Sequence, residues 1–323
     1  MIRKQIGIDI GSTQISICNS TGELLLREPN VAVLEPHTGK VLAVGREAVN
    51  LSKEKKGRVN LCHPAWDGVV KHATVLSTIL RELLYRALGR TLLRPHAMIS
   101  IPCDLTEAQL NATEDAVLAA GVGHVHMLES PLCAALGVGF DFSVPTAQML
   151  IHIGASKTEA AVIFLGDMLI HKTVPVGGKH FDEAIVRYVR DKHQLAINAR
   201  TAEQLKISIA NVADHTEIKS QNIRGRDLKT GDLRVVTLTS DKMKDALKDV
   251  LVPIVDVACA MVEGTADEIR VDIAKGGIVL TGGGVLDGLD QFLADIIGVR
   301  ATTASNANTA AAEGAAKAML KIR

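Results

Sequence analysis

The sequence predicts an α/β fold made of two similar domains, and three observations carry that expectation. The stretch IGIDIGSTQISI, from Ile6 to Ile17, and the stretch MLIHIGASKTEAAVIF, from Met149 to Phe164, share one pattern: an apolar strand, a small-residue turn, and a second strand alternating toward polar. Downstream of each, apolar strand-like runs alternate with segments of helical period, which is how layered α/β architectures read. The 323 residues suffice for about two domains with cores of their own.

Each element follows from local chemistry. After the first hairpin, Thr21-Gly22 is a turn, Glu28 to Leu34 reads as a strand, and Thr38 to Gly45 as its hairpin partner. Arg46 to Leu51 is a short helix, Lys53 to Arg58 a basic surface loop, and Pro64 to Gly68 a turn holding the only tryptophan, Trp66. Val75, Ile79, Leu80, Leu83, Leu84 and Ala87 recur at helical spacing between Lys71 and Leu88, and Gly89 stops that helix. Between Gly89 and Pro95 two adjacent leucines sit among arginines; they either tuck into the core or form a tip that meets a membrane, with the arginines on anionic headgroups. Ala97 to Pro102 is a buried strand. Thr106, with Gln109 three residues on, is a capping box opening a helix that Gly121 and Gly123 close. His126 to Leu128 is a strand and Ser130-Pro131 opens another helix. The second hairpin begins near Gln148; a strand from Met168 to Val176 is broken by Gly177-Gly178, and Phe181 to Lys192 is helical. Thr201 starts the next helix, Arg224 to Asp232 is a polar loop, and Leu233 to Leu238 is a strand. Ser240 caps a long helix from Lys242 to Glu263. Gly277 to Leu280 is an apolar strand running into Gly282-Gly283-Gly284, with a helix from Leu289 to Ile297 beyond. Asn306 or Asn308 caps an alanine-rich helix through Ile322.

Composition excludes several classes. Lysine plus arginine number 36, as do aspartate plus glutamate, so no net field draws nucleic acid. Aromatics are 2% against 47% hydrophobic residues, so the cores are built of Val, Ile, Leu and Ala. Five cysteines, with no C-x-x-C, read as free thiols of a reducing cytoplasm rather than a disulfide framework or a metal site. A strand starts within the first residues, so no signal peptide is expected, and no apolar run reaches the roughly 18 residues of a spanning helix.

The two turns are the candidate chemistry. Gly11 and Gly154 permit a backbone that aims successive N–H groups at one point, a nest for an anion such as a nucleotide phosphate. One such turn alone would be an ordinary tight hairpin; the repeat is what suggests a grip on one nucleotide from both sides. Neither is a Walker loop, and a strand rather than a helix follows each, which excludes the dinucleotide fingerprint. Gly282 to Gly284 leave room for a flat group or phosphate to approach the backbone. Glu203 and Lys206 share one helix face, either bracketing a nucleoside or forming a surface ion pair. Asp9 can serve a metal through water, and Glu129 is a second carboxylate. His152 stands where the first turn has Asp9. Lys157, Lys179 and His152 offer positive charge instead of acids, and Gln109 can orient a water but cannot take its proton.

The order IGIDIGST, EPNVAVLEPHTGKVLAVGREA, LESPLCAALGVG, VGGKHFDEAIVRYVR, RTAEQLKISIANV, GRDLKTGD and GIVLTGGGVLDGLD resembles the bacterial actin MreB/Mbl family along nearly the whole chain. The resemblance implies an actin-like fold of the actin, Hsp70 and sugar kinase superfamily. Its first domain would comprise residues 1–143 with 304–323 and its second 144–303, each with a smaller subdomain, around a nucleotide cleft. It further implies ATP or ADP as ligand with Mg²⁺, antiparallel paired filaments, other cell-shape proteins as partners, and a cytoplasmic place at the inner face of the cell membrane, guiding wall synthesis. By position, Ser12, Thr13 and Gln14 form the first phosphate hairpin and Gly154, Ala155 and Ser156 the second. Glu203, Gln204, Leu205 and Lys206 line the adenosine, Gly282, Gly283, Gly284 and Val285 close the far side, and Leu92 and Leu93 form the membrane loop. Asp9 is the metal's indirect ligand and Gln109 a degenerate water-positioning residue.

Departures from the family pattern bear on turnover. HIGASKT replaces a DIGGGTT-like second hairpin, Lys179 replaces an Asp, Gln109 replaces the water-activating Glu, and the tail from Thr302 is short and alanine-rich. A divergent member that binds nucleotide and polymerises, with weak or lost hydrolysis, fits this pattern. Rival readings are a filament protein or regulator of a second MreB that no longer uses nucleotide, and a sugar kinase-like phosphotransferase, which would need a carboxylate base where Gln109 stands.

Overall fold

The computed structural model describes residues 3–55, 57–214 and 217–320. Its chain divides into two compact units, Met1–Ser143 with Asn308–Arg323, and Val144–Ala307.

In the first unit β1 (Gln5–Ile10), β2 (Gln14–Asn19) and β3 (Leu24–Pro29) form an antiparallel meander. β4 (Ala32–Leu34), β5 (Val41–Val44), α1 (Gly45–Glu54) and β6 (Asn60–Cys62) make a small side layer, with a three-stranded sheet in the order β5-β4-β6. The expected strand from Glu28 to Leu34 is thus two strands, broken at Asn30. A two-stranded hairpin, β7 (Ala65–Trp66) and β8 (Val69–Val70), precedes α2 (Ala73–Leu88). Then come β9 (His96–Ile101), α3 (Glu107–Ala119), β10 (His124–Glu129) and α4 (Ser130–Val138). The main sheet runs β10-β9-β1-β2-β3, with β9 and β10 parallel to β1. Ile6, Ile8, Ile15 and Ile17 alternate inward and are buried against Leu76, Ile79, Leu80 and Leu83 of α2; each such side chain contributes about 2 kcal/mol. Gly89 ends α2 with φ +68°, a conformation that suits glycine.

The second unit repeats the plan. β11 (Gln148–Ile153), β12 (Thr158–Phe164) and β13 (Asp167–Val174) are its meander. α5 (Gly178–His193), β14 (Leu195–Ala196), α6 (Ala199–Ile209), β15 (Ser220–Asp227) and β16 (Leu233–Thr239) follow, with a second small sheet ordered β14-β15-β16. The long α7 (Ser240–Glu263), α8 (Asp267–Gly276), β17 (Ile278–Thr281), α9 (Leu289–Ile297) and β18 (Ala301–Thr303) complete it. Its main sheet runs β13-β12-β11-β17-β18, with β17 and β18 parallel to the first strand, the same topology as the first sheet read from its meander edge. The duplication read from two hairpins therefore extends to both five-stranded sheets, whereas the small sheets differ in strand order, β5-β4-β6 against β14-β15-β16.

The last helix, α10 (Ala310–Met319), belongs to the first unit. It packs on α4 and β1 through alanines and glycines. A Cβ on Gly314 would lie 1.6 Å from the Cys133 carbonyl oxygen, one on Gly137 1.9 Å from that of Ala310, and one on Gly7 2.2 Å from the Ala316 nitrogen.

Several local expectations need correction. Asn198, not Thr201, caps α6, its Oδ1 accepting from the Thr201 N–H at 2.9 Å. Arg224 to Asp227 is strand, because β15 pairs with β16 through that segment. Thr239, not Ser240, is the N-cap of α7; the Ser240 hydroxyl instead accepts from the Lys219 N–H at 3.1 Å. α10 is capped at Thr309 rather than Asn306 or Asn308. Lys56 of the expected basic loop and the expected helix end at Ile322 lie outside the described residues. All five cysteines are free, Cys18 and Cys133 being buried; burial, with Glu313 and Asp9 adding, pushes the Cys18 thiol up to about 12, so it is inert. Among the described residues no helix is long and apolar enough to cross a membrane.

Candidate functional site

In both units the turn between the first two strands lies at the C-terminal end of a strand with one parallel and one antiparallel neighbour, the strand end at which α/β sheets hold their ligands. The two turns reach that position by different means.

In the first unit the turn Gly11 to Thr13 is held by a buried asparagine. Asn30 sits at the break between β3 and β4 with no exposed surface. Its Nδ2 donates to the Gly11 carbonyl at 2.9 Å and its backbone N–H to the Thr13 carbonyl at 2.9 Å. Ser12 is buried, and its Oγ accepts a long 3.4 Å bond from the Gly68 N–H. Thr13 and Gln14 stay partly exposed. Asp9 lies one register step from the strand end and pairs with Ser100, whose hydroxyl is 2.9 Å from that of Ser130; Glu129 ends β10 next door. Among the described residues no group of three or more His, Cys, Asp or Glu side chains is arranged to hold a metal ion. Mg²⁺ commonly uses only one or two carboxylates beside phosphate oxygens and water, so Asp9 is compatible with the indirect role and nothing in the donor set goes further.

Gln109 is where the sequence expected it, but its amide is in use. Its Oε1 accepts from the Thr106 N–H at 2.9 Å and its own N–H reaches the Thr106 hydroxyl at 3.4 Å, a complete capping box. The Oε1 is thereby fixed toward the start of α3, with one of its two lone pairs in use.

In the second unit the turn Gly154 to Ser156 is crowded by glycine backbone on three sides. Gly154 closes the turn with its N–H on the Lys157 carbonyl at 2.8 Å. The first free donors of α5, the N–H groups of Gly178 and Lys179, bond the Gly154 and Ala155 carbonyls at 3.0 and 2.7 Å. The Gly284 N–H bonds the Ile153 carbonyl at 2.8 Å. A Cβ on Gly177 would lie 2.6 Å from the Gly154 oxygen, one on Gly284 2.4 Å from the same atom, and one on Gly282 2.2 Å from the Ile153 oxygen at φ +95°. Gly282 and Gly284 therefore serve close approach of β17 to β11, and only Gly283 is exposed.

On α6, Glu203 and Gln204 are exposed, Leu205 is fully buried in the core, and Val285 packs partly buried against that core. Lys206 is not a surface partner of Glu203. Its Nζ lies 2.8 Å from Asp182 and donates to the Gly178 carbonyl at 2.8 Å, tying α6 to the start of α5. Burial pushes the Asp182 carboxyl up, against the lowering pull of Lys206. His152 faces Thr281 across the sheet, Nδ1 to Oγ1 at 3.1 Å, and burial pushes its pKa down to about 4, so the ring is neutral at physiological pH.

Away from the turns, the Gly89 to Arg94 loop exposes Leu92 at 85% and Leu93 at 36%. The core reading of the leucine pair thus fails for Leu92. Asn30 is the functional residue that sequence reasoning missed: nothing in its neighbourhood announces a partner 19 residues away.

A sequence model of the MreB/Mbl protein family matches residues 3–323. The chain belongs to the MreB/Mbl family. It is 33% identical over 308 residues to the cell shape-determining protein Mbl of Bacillus subtilis, covering 95% of this chain and 92% of that one. It is 31% identical over 329 residues to the cell shape-determining protein MreB of Escherichia coli K12, covering 100% and 95%. Among solved structures, MreB 5 of Spiroplasma citri bound to AMPPNP superimposes with a TM-score of 0.91 at 26% identity, over 97% of this chain and 95% of that one. A MamK double helical filament superimposes at 0.84 with 17% identity over the full length of both, a likeness of fold. This MreB/Mbl member has the actin-like fold, and its relatives are cell shape-determining proteins.

Proposed function

We propose that this MreB/Mbl member binds ATP or ADP through its small-residue turns and polymerises into filaments at a membrane surface, with hydrolysis slow or absent. The observation that carries the reading is the pair of turns at equivalent sheet positions, each held rigidly by its own scaffold. The S. citri relative, crystallised with AMPPNP and with ADP, lends support.

The residues divide the work as follows. The Gly154 N–H closes its own turn on the Lys157 carbonyl. The turn Ser12 to Gln14 and, in the second turn, Ala155 and Ser156 meet phosphate through backbone amides, which depend on turn shape rather than side-chain identity. HIGASKT in place of a glycine-richer sequence therefore leaves that contact available. Glu203 and Gln204 offer exposed side chains to a nucleoside, Lys206 holds the helix that presents them, and Gly283 with Val285 borders the other side. Bound Mg²⁺ would screen phosphate charge; Asp9 is the residue suited to orient its water. At the position of the water-activating acid stands Gln109, whose amide belongs to a capping box and is not a base; a glutamine orients a water at best, which is what supports slow turnover.

Leu92 and Leu93 provide the apolar tip for membrane contact, flanked by Arg90 and Arg94, and self-association into antiparallel pairs would multiply that weak contact along a filament. The decisive experiment combines calorimetric titration with ATP, phosphate release, and electron microscopy on lipid. Expected are saturable binding, phosphate release close to the background of ATP alone, and filaments on lipid. Brisk phosphate release overturns the turnover reading. Filaments without any nucleotide binding would favour the nucleotide-independent alternative.

A further inference from the structure

A cavity of about 500 Å³ opens on the first unit, at the end of its main sheet opposite the turn. Its wall combines Arg3 and Lys4 at the entry to β1, Ser20 after β2, and apolar Leu25, Ala87 and Leu88. Two features give this wall a chemistry. Its cations have neutral partners: Lys4 Nζ donates to the Leu88 carbonyl at 2.9 Å, and Arg3 Nη1 lies 3.0 Å from His96 Nε2. Burial, with Arg3, His124 and His126 adding, pushes the His96 pKa down, so that ring accepts the guanidinium bond as a neutral base. Lys4 caps the C-terminal end of α2 and keeps further donors, and among the described residues neither Arg3 nor Lys4 forms a salt bridge.

The second feature is location. The same two residues hold both ends of the exposed loop. Leu88, bonded by Lys4, is the residue before Gly89, and the His96 N–H returns to the Lys4 carbonyl at 2.9 Å. Leu92, with 85% of its surface exposed, is four residues from the cavity wall. Four residues of chain reach at most about 14 Å, so a surface that receives the leucine tip has its headgroup layer within that distance of Leu88 in the cavity wall.

We propose that this cavity is a binding site for an anionic amphiphile, a phosphate-bearing headgroup with part of its chain, the phosphate on Arg3 and Lys4 and the apolar part against Leu25, Ala87 and Leu88. The proposal rests on the membrane reading above and deepens it. The tip supplies unselective apolar contact; the cavity supplies selection for anionic lipid.

The test uses the full chain and flotation with vesicles of phosphatidylcholine alone or with phosphatidylglycerol. Replacing both cations (R3Q with K4Q) should weaken binding to phosphatidylglycerol vesicles by about thirtyfold, from roughly a factor of five per cation near a charged surface. Binding to phosphatidylcholine should not change. Ala87→Phe, which fills the cavity with the charges intact, should lose the same preference, and circular dichroism checks that each variant folds. The double replacement R90Q with R94Q removes charge beside the tip and should also weaken binding to phosphatidylglycerol vesicles, but it should leave the amide shifts that dihexanoyl phosphatidylglycerol induces at Ser20 and Ala87 unchanged. If the cavity variants bind as the wild type does, or only the loop arginines matter, the cavity proposal is overturned while the membrane reading stands. If the wild type binds no vesicle, the membrane reading fails, and dihexanoyl phosphatidylglycerol below its micelle threshold decides the cavity alone by amide NMR. Shifts at Ser20 and Ala87 that vanish in R3Q with K4Q support the site; their absence overturns it. Displacement of that lipid by equimolar inorganic phosphate would reduce the site to an anion site and overturn the amphiphile assignment.

Discussion

The two turns occupy the same place in the same sheet topology, yet they are supported in opposite ways. The first is pinned by one side chain: Asn30 holds two of its carbonyls from a strand break. The second is pinned by the absence of side chains, with Gly177, Gly282 and Gly284 letting two other backbones press against it. The difference teaches that a duplicated device can diverge in its fastening while it keeps its place in the sheet. It also explains why the second turn tolerates HIGASKT. Its geometry is imposed from behind, so the residues within it are freer to change.

The comparison can be broken most severely at the helices behind the first turn. Gly314→Val should destabilise the first unit by more than about 3 kcal/mol, since its Cβ would already lie 1.6 Å from the Cys133 oxygen. Urea melts with hydrogen exchange should show β1 and β2 losing protection before β11 and β12. In the second unit Lys206→Met should cost about 3 kcal/mol by stranding Asp182 in partial burial, and adding Asp182→Leu should recover much of it. A double-mutant cycle by chemical denaturation measures this; additive losses would show that the pair is not coupled. Asn30→Leu should cost about 2 kcal/mol and weaken ATP binding by loosening the first turn alone; exchange at Gly11 to Thr13 should rise with that at Gly154 to Ser156 unchanged. The smallest effect at neutral pH belongs to His152. Its folded pKa of about 4 lies below the ordinary 6.5, so folding favours the neutral ring. Stability is complete above pH 6.5 and falls as pH drops toward 4, where the unfolded chain takes up the proton first. His152→Asn should flatten that window in a series of melts and leave stability above pH 7 nearly unchanged.

Much of the fold was legible because it rests on short-range pattern. Both hairpins, the apolar stripe of α2 and the capping box at Thr106 are local in sequence. What escaped is what depends on distant partners. α8 buries only Ile273 fully and so shows little helical stripe. β15 extends through Arg224 to Asp227 because β16 supplies partners, although its own residues read as a loop. At the site the positions of the turns could be read, but not the duty of each neighbour. Glycines at 282 and 284 read as room for a ligand, and they are room for another strand. Lys206 was seen as a candidate for direct contact, and it is engaged by the start of α5, 28 residues away; Gln109 was seen both as such a candidate and as a capping-box partner, and the structure puts its amide in the capping box.

The place of α10 sets an order of events during synthesis. The strands of the first unit leave the ribosome early, but the alanine-rich helix that fits between Gly7 and Gly137 is translated only after residues 144 to 307. The later unit, continuous in the chain, can close on itself at once, whereas the earlier one must wait with β1 and α4 uncovered. A nascent chain halted just before Ala310 should therefore resist protease across the second unit and be cut readily in the first.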